Sequence, residues 1–331
     1  MKSLRSIADA LKKSITGGDA PAGPGAEPPA TLDSRVREYL EAGRAHYRQG
    51  NYEQAIADFS QAIELAPENG QAYGNRGVAY LQLGYLEQAI ENLTKAIELD
   101  PGKAAVFYNG RGAAYRQVGN LPQAIADFTK VIEADPGNAA AYINRGATHR
   151  DAGHLAQAIA DYSQAIELDR ANAAAYYNRG NAYAASGERE QALADYSQAL
   201  ELAPGDVAIY LNRGTAYLEA GAVDQALQDY NQAIALEPGS VEAYNNRGFV
   251  YFRAGQLDQA IADYSHVIAL DPRDAAAYGN RGDAYARAGK LAEAIRDFER
   301  YLELAPEASN WAKVRDVIEL LKAEVKGRRL S

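Results

Sequence analysis

Tyr176-Tyr177-Asn178-Arg179-Gly180-Asn181-Ala182-Tyr183 decides the fold, because near-copies of this stretch return down the chain at almost constant spacing. They stand at Tyr73-Gly74-Asn75-Arg76-Gly77, Tyr142-Ile143-Asn144-Arg145-Gly146, Tyr210-Leu211-Asn212-Arg213-Gly214, Tyr244-Asn245-Asn246-Arg247-Gly248 and Tyr278-Gly279-Asn280-Arg281-Gly282. From Tyr142 through Tyr176, Tyr210 and Tyr244 to Tyr278 the step is 34 residues each time. Fixed self-similarity at such a period marks an array of stacked units rather than one closed core.

Each unit follows a two-helix grammar. In residues 173–206 a first helix over 174–186 is stopped by Gly187, which tolerates φ > 0. A second helix over 188–202 carries Ala192, Tyr196 and Ala199 on its inner face, and Pro204-Gly205 breaks the chain before the next unit. A turn glycine recurs in eight units, as Gly50, Gly84, Gly119, Gly153, Gly187, Gly221, Gly255 and Gly289. So does a small residue of the second helix, as Ala55, Ala89, Ala124, Ala158, Ala192, Ala226, Ala260 and Ala294.

These residues resemble the tetratricopeptide repeat over 36–308, with a partial further copy beyond. The resemblance implies an all-α, right-handed α-solenoid of eight helix-turn-helix units over 34–308 plus a capping helix within 309–331. Small residues such as Gly180 let helices approach, and Tyr176, Tyr183 and Tyr196 fill the gaps. The capping helix is expected over 309–326, with Val314, Ile318 and Leu321 inward and Trp311 covering the last core. Ahead of the array, residues 1–17 read as a short amphipathic segment with Leu4, Ala8, Leu11 and Ile15 at helical spacing, and the Gly/Pro/Ala-rich 18–33 as a flexible linker.

Composition limits the function. The net charge is -10, yet residues 1–17 carry Lys2, Arg5, Lys12 and Lys13 against Asp9 alone, so the array itself is acidic. An acidic array without a basic stripe disfavours nucleic acid, whose phosphates supply most non-specific affinity. There is no cysteine, so disulfides and thiolate sites are excluded. No run reaches the ~20 apolar residues of a membrane span. No nucleotide loop or HExxH motif is present, and His46, His149, His154 and His266 are too scattered for a metal site. The expectation is therefore a soluble, cytoplasmic, monomeric, non-enzymatic protein without cofactor; the alternative is a peripheral membrane assembly factor tethered by residues 1–17.

Three features remain for interpretation. The stretch Phe107-Tyr108-Asn109-Gly110-Arg111-Gly112 holds one residue more than its siblings, and treating Gly110 as the insertion restores the alignment. That placement predicts a bulge within the helix and puts Asn109 and Tyr108 in the groove. Next, Arg76, Arg111, Arg145, Arg179, Arg213, Arg247 and Arg281 alternate with Asp58, Asp127, Asp161, Asp195, Asp229, Asp263 and Asp297, Asn92 standing in for the missing aspartate. The array ends favour pairing between units, Asp58 with Arg76 and Asp297 with Arg315. Finally, Asn75, Asn109, Asn144, Asn178, Asn212, Asn246 and Asn280 form a row. By resemblance to the repeat domains of O-linked N-acetylglucosamine transferase and kinesin light chains, this row lines a concave groove and holds the backbone of an extended peptide. An amide both donates and accepts, as a peptide unit requires. Tyr177 and Asn181 flank the row, and Ile143, Leu211, Thr215, Leu218, Phe249 and Phe252 fill the expected groove, with Arg116, Arg150, Arg253 and Arg287 at its rim.

Overall fold

The computed structural model describes residues 32–328, so the segment 1–17 and almost all of the linker lie outside the described residues. Within that range the chain is helical, with no strand, and it divides at the turn of the fifth repeat into two compact bodies, one ending at Ser186 and one starting at Gly187. The N-terminal body holds α1 (Leu32–Gln49), α2 (Tyr52–Leu65), α3 (Gly70–Leu83), α4 (Leu86–Leu99), α5 (Ala104–Gln117), α6 (Leu121–Ala134), α7 (Ala139–Asp151), α8 (Leu155–Leu168) and α9 (Ala173–Ser186). The C-terminal body holds α10 (Arg189–Leu202), α11 (Val207–Glu219), α12 (Val223–Leu236), α13 (Val241–Arg253), α14 (Leu257–Leu270), α15 (Ala275–Arg287), α16 (Leu291–Leu304) and α17 (Trp311–Arg328). Inside each body consecutive helices pack pairwise, as in an α-solenoid.

The helix ends follow from local chemistry. All eight turn glycines take φ between 73° and 83°, a left-handed backbone that side chains resist. This conformation lets the next amide reach back to the first helix, as Asn120 N–H does to Tyr115 O at 2.8 Å, satisfying a carbonyl that helix termination strands. First helices open on side-chain caps: Asn69 accepts from the Ala72 amide, Asn138 from Ala141, Ser240 from Ala243 and Asp274 from Ala277.

Two contacts sixteen residues apart lock the hairpins of repeats 3, 4, 6, 7 and 8. A Cβ on Gly214 would sit 2.7 Å from the ring of Tyr230, and one on Gly282 2.8 Å from Phe298, so only glycine admits these buried rings. One position earlier on each helix, an arginine meets an aspartate. Arg111 Nε and Nη2 donate to Asp127 at 2.8 Å each, and Arg145–Asp161, Arg213–Asp229, Arg247–Asp263 and Arg281–Asp297 repeat the same two-pronged geometry. The aspartate hydrogen bond raises the basicity of these guanidinium groups and outweighs the burial that opposes it.

These pairs correct the expected inter-repeat ladder: the five arginines bond the aspartate of their own repeat. The contact to the preceding repeat is made by the third guanidinium nitrogen, which donates to a hydroxyl two residues after that repeat's ladder position: Arg76 to Ser60, Arg111 to Thr94, Arg145 to Thr129, and Arg281 to Ser265. The array ends confirm the change. Asp58 is met by His46 Nδ1 at 2.6 Å, because repeat 1 has Ala42 where an arginine would stand. Arg315 lies 3.5 Å from Asp316 and over the Trp311 ring instead of joining Asp297.

The extra residue of the third repeat is also placed differently from expectation. Helix α5 is continuous through Gly110 without a bulge. It begins seven residues before Arg111, whereas α3 and α7 begin six before Arg76 and Arg145; a 3-10 turn, Pro101–Lys103, precedes it without a side-chain cap. The addition is therefore absorbed at the N-terminal end of the helix. Tyr108 then packs beside Arg111, Val131 and Ile132 rather than facing a groove. Phe107 enters the space that Gly74 leaves.

At the other end α17 packs Val314, buried Ile318 and Leu321 on Ala294 and Phe298, as the helical spacing predicts. Trp311 falls outside that cluster.

The repeats also differ where a first-helix tyrosine is replaced by His149. Burial is the main cause holding this imidazole below its ordinary basicity; Arg145 and His154 push the same way and Asp161 opposes them. The unfolded chain then binds a proton that the native one refuses, so stability falls as pH drops below about 6.5. His149→Tyr should flatten the acid limb: its urea midpoint should decline less between neutral pH and pH 5 than that of the parent, and parallel declines would sink this account. Asp229→Ala should cost about 3 kcal/mol by urea unfolding, because it strands a largely buried guanidinium. Glu303→Ala, removing an exposed partner of Arg300, should leave the midpoint unchanged within error.

Candidate functional site

With tyrosine, glycine, arginine and aspartate engaged in packing, the candidate positions are those of the first helices immediately before and two residues after each arginine, of which Asn75, Val78, Ala113, Asn144 and Ala147 are buried. In the N-terminal body these asparagines are not equivalent. Asn75 on α3 and Asn144 on α7 are 5% and 1% exposed, so their amides present almost no surface to a ligand. Asn144 Nδ2 donates to Asn109 Oδ1 at 3.2 Å, while Asn75 Nδ2 is buried without a partner among the described residues. Because α5 is continuous, the residue directly before Arg111 is Gly110, and Asn109 stands one position ahead of the row. Asn178, Tyr177 and Asn181 on α9 are half-buried. Ile143 is buried in the core instead of lining an opening.

In the C-terminal body the row opens progressively. Asn212 on α11 and Asn246 on α13 are half-buried, and Asn280 on α15 is exposed. Leu211 is buried, while Thr215 is exposed although its hydroxyl lies 3.2 Å from that of Tyr230. Phe249, two residues after Arg247, is 44% exposed. The Arg253 guanidinium sits 5.8 Å from the centre of the Phe249 ring, and Arg287 sits 5.3 Å from the half-buried Phe252 ring while donating to the Phe252 carbonyl at 2.8 Å. Each of these two rings thus has a guanidinium beside it. Asp283, two residues after Arg281, adds a carboxyl whose acidity burial weakens.

The arginines expected at the rim of the N-terminal body are already paired. Arg116 Nε donates to Asp151 at 2.7 Å and Arg150 Nη2 to the same carboxylate at 3.2 Å. Asp151 was missed as the partner of Arg116 because it lies 35 residues away in the next repeat, where sequence offers no signal beyond the period. Among the described residues no three His, Asp or Glu side chains converge to hold a metal ion, and no helix is long and apolar enough to cross a membrane.

Models of the tetratricopeptide repeat match residues 40–104, 105–138, 128–160, 173–206 and 240–307, and a model of the TPR repeat matches 148–187 and 214–255. No curated protein matches the chain significantly. Among solved structures, the C-terminal part of a TPR repeat-containing protein from Cytophaga hutchinsonii is 21% identical, with a TM-score of 0.60 over 74% of this chain and 98% of its own. A tetratricopeptide repeat protein from Parabacteroides merdae is 21% identical, with a TM-score of 0.57 over 77% and 99%. YrrB, described as a TPR protein with an unusual peptide-binding site, is 27% identical, with a TM-score of 0.49 over 57% and 97%. The repeat models cover most of the chain, and the helix pairs, turn glycines and glycine–ring contacts agree with them: the chain belongs to the tetratricopeptide repeat proteins.

Proposed function

We propose that this protein is a non-enzymatic interaction scaffold whose first helices hold an extended segment of another protein. The observation that carries the reading is the exposed Phe249 with Arg253 beside it, on the helix that also bears half-buried Asn246. An aromatic side chain left open next to amides gives a partner both an apolar anchor and backbone hydrogen bonds. Asn212, Asn246 and Asn280 supply the amides in the C-terminal body, and Asn178, Tyr177 and Asn181 in the N-terminal one. Asn75 and Asn144 contribute by shaping the surface from beneath.

The magnitudes assign different tasks to the two kinds of contact. Each amide hydrogen bond is worth about 1 kcal/mol net, whereas ordering a free segment costs about 2–5 kcal/mol. Backbone contacts alone therefore leave weak binding, and the apolar anchor must set affinity and choice of partner.

A peptide selected from a display library on the full chain provides the test, with affinity measured by fluorescence anisotropy. Phe249→Ala should weaken it about tenfold or more, Asn246→Ala about fivefold, and buried Asn144→Ala should act through stability rather than contact. Equal affinity in Phe249→Ala and Asn246→Ala would overturn the reading.

A further inference from the structure

Arg76 differs from Arg111, Arg145, Arg213, Arg247 and Arg281. Arg76 Nε donates to Asn92 Oδ1 at 2.8 Å and Nη1 to Ser60 at 3.0 Å. Nη2, which in Arg111, Arg145, Arg213, Arg247 and Arg281 donates to the second carboxylate oxygen, has no acceptor among the described residues, because Asn92 turns its own Nδ2 to the Gln88 carbonyl at 2.8 Å. Thus this guanidinium keeps an open donor and lacks the carboxylate that its siblings hold. Arg76 and Asn92 also line a cavity of ≈ 590 Å³.

We infer that this cavity is a binding site for a single carboxylate, which takes the place of the missing aspartate against Arg76. The walls decide the class of ligand. Glu91 and Glu98 share the lining with Lys95, which pairs with Glu98 at 3.5 Å, so their repulsion limits the ligand to a single negative charge and disfavours a phosphate or other polyanion more strongly. Tyr73 and Tyr80 provide flat apolar surface for the body attached to the carboxylate. Nη2 can give a carboxylate oxygen the charge-assisted bond that the aspartate's second oxygen accepts in the sibling repeats. The site uses none of the asparagine-row residues, so it stands or falls independently of peptide binding by the first helices.

Titration calorimetry on the full chain at constant ionic strength tests the assignment. Two probes separate the sources of a carboxylate: benzoate, and a capped tripeptide whose only charge is one glutamate side chain. At least one should bind saturably at tens of millimolar or below; benzoate alone points to a free small molecule, and the tripeptide points to an acidic side chain of a polypeptide. Asn92→Asp, which restores the pattern of the sibling repeats, should occupy Arg76 internally and weaken the bound probe about tenfold or more. Arg76→Gln should do the same, with circular dichroism confirming that both variants fold. The proposal is overturned if neither probe binds, if Asn92→Asp binds as well as the parent, or if inorganic phosphate binds more tightly than both probes.

Discussion

The contact on which the array depends is a ring laid directly on a helix backbone. Gly146 against Tyr162, Gly214 against Tyr230, Gly248 against Tyr264 and Gly282 against Phe298 bring the two helices of a repeat close enough for the aromatic side chain to be almost fully buried. Burying such a side chain is worth about 1.5–3 kcal/mol, and a methyl group at the glycine would meet the ring at 2.7–3.0 Å. The adjacent arginine–aspartate pair adds less net stability, since desolvation offsets much of its attraction. Its geometry matters more: the guanidinium reaches the aspartate of its own repeat and the hydroxyl of the one before, tying the hairpin and the stacking interface through one side chain.

This division of labour also separates scaffold from surface. A repeat protein carries its own internal alignment, and positions that hold the same residue in every repeat are mostly those whose side chains touch the neighbouring helix. Two residues before the ladder arginine the chain places Gly74, Asn109, Ile143, Tyr177, Leu211, Asn245 and Gly279. Two residues after it stand Val78, Ala113, Ala147, Asn181, Thr215, Phe249 and Asp283. Val78, Ala113, Ala147, Ile143 and Leu211 are buried and vary with the packing, whereas Thr215, Phe249 and Asp283 are exposed, so there the variation changes what the surface presents. Constancy of the asparagine row is not by itself a mark of partner contact, because Asn75 and Asn144 are buried.

Much of the fold was legible in the sequence. The 34-residue step, the turn glycines, the proline-bearing junctions and the pairing of small with aromatic residues are local or periodic signals, and each acts through backbone conformation or volume. They determined the helix pairs, the turn positions and the inward face of α17 to within a few residues. The candidate site was legible only as a list of residue types: sequence named Phe249 and Asn246 but could not rank them above Asn75 and Asn144, since exposure depends on how closely neighbouring helices approach.

The partner of each arginine shows where sequence runs out. Arg76 lies six residues into α3 and seven before its end; Asn92 lies six into α4, and Asp58 seven before the end of α2. Each arginine is therefore flanked by second helices at matching depth on both sides, and a periodic sequence is unchanged by sliding the pairing one repeat along. Only the packed structure breaks that symmetry, turning the aspartate toward its own repeat and offering the preceding repeat's hydroxyl on the other side. The same holds for the added residue near Gly110, which either a bulge or an earlier helix start would accommodate; the continuous α5 selects the latter and sets Asn109 out of the row. Sequence by itself determined the repeat and its helices, because those follow from local backbone preferences. Tertiary structure decided the pairings and the exposed surface, because these depend on distances between elements that the period leaves equivalent.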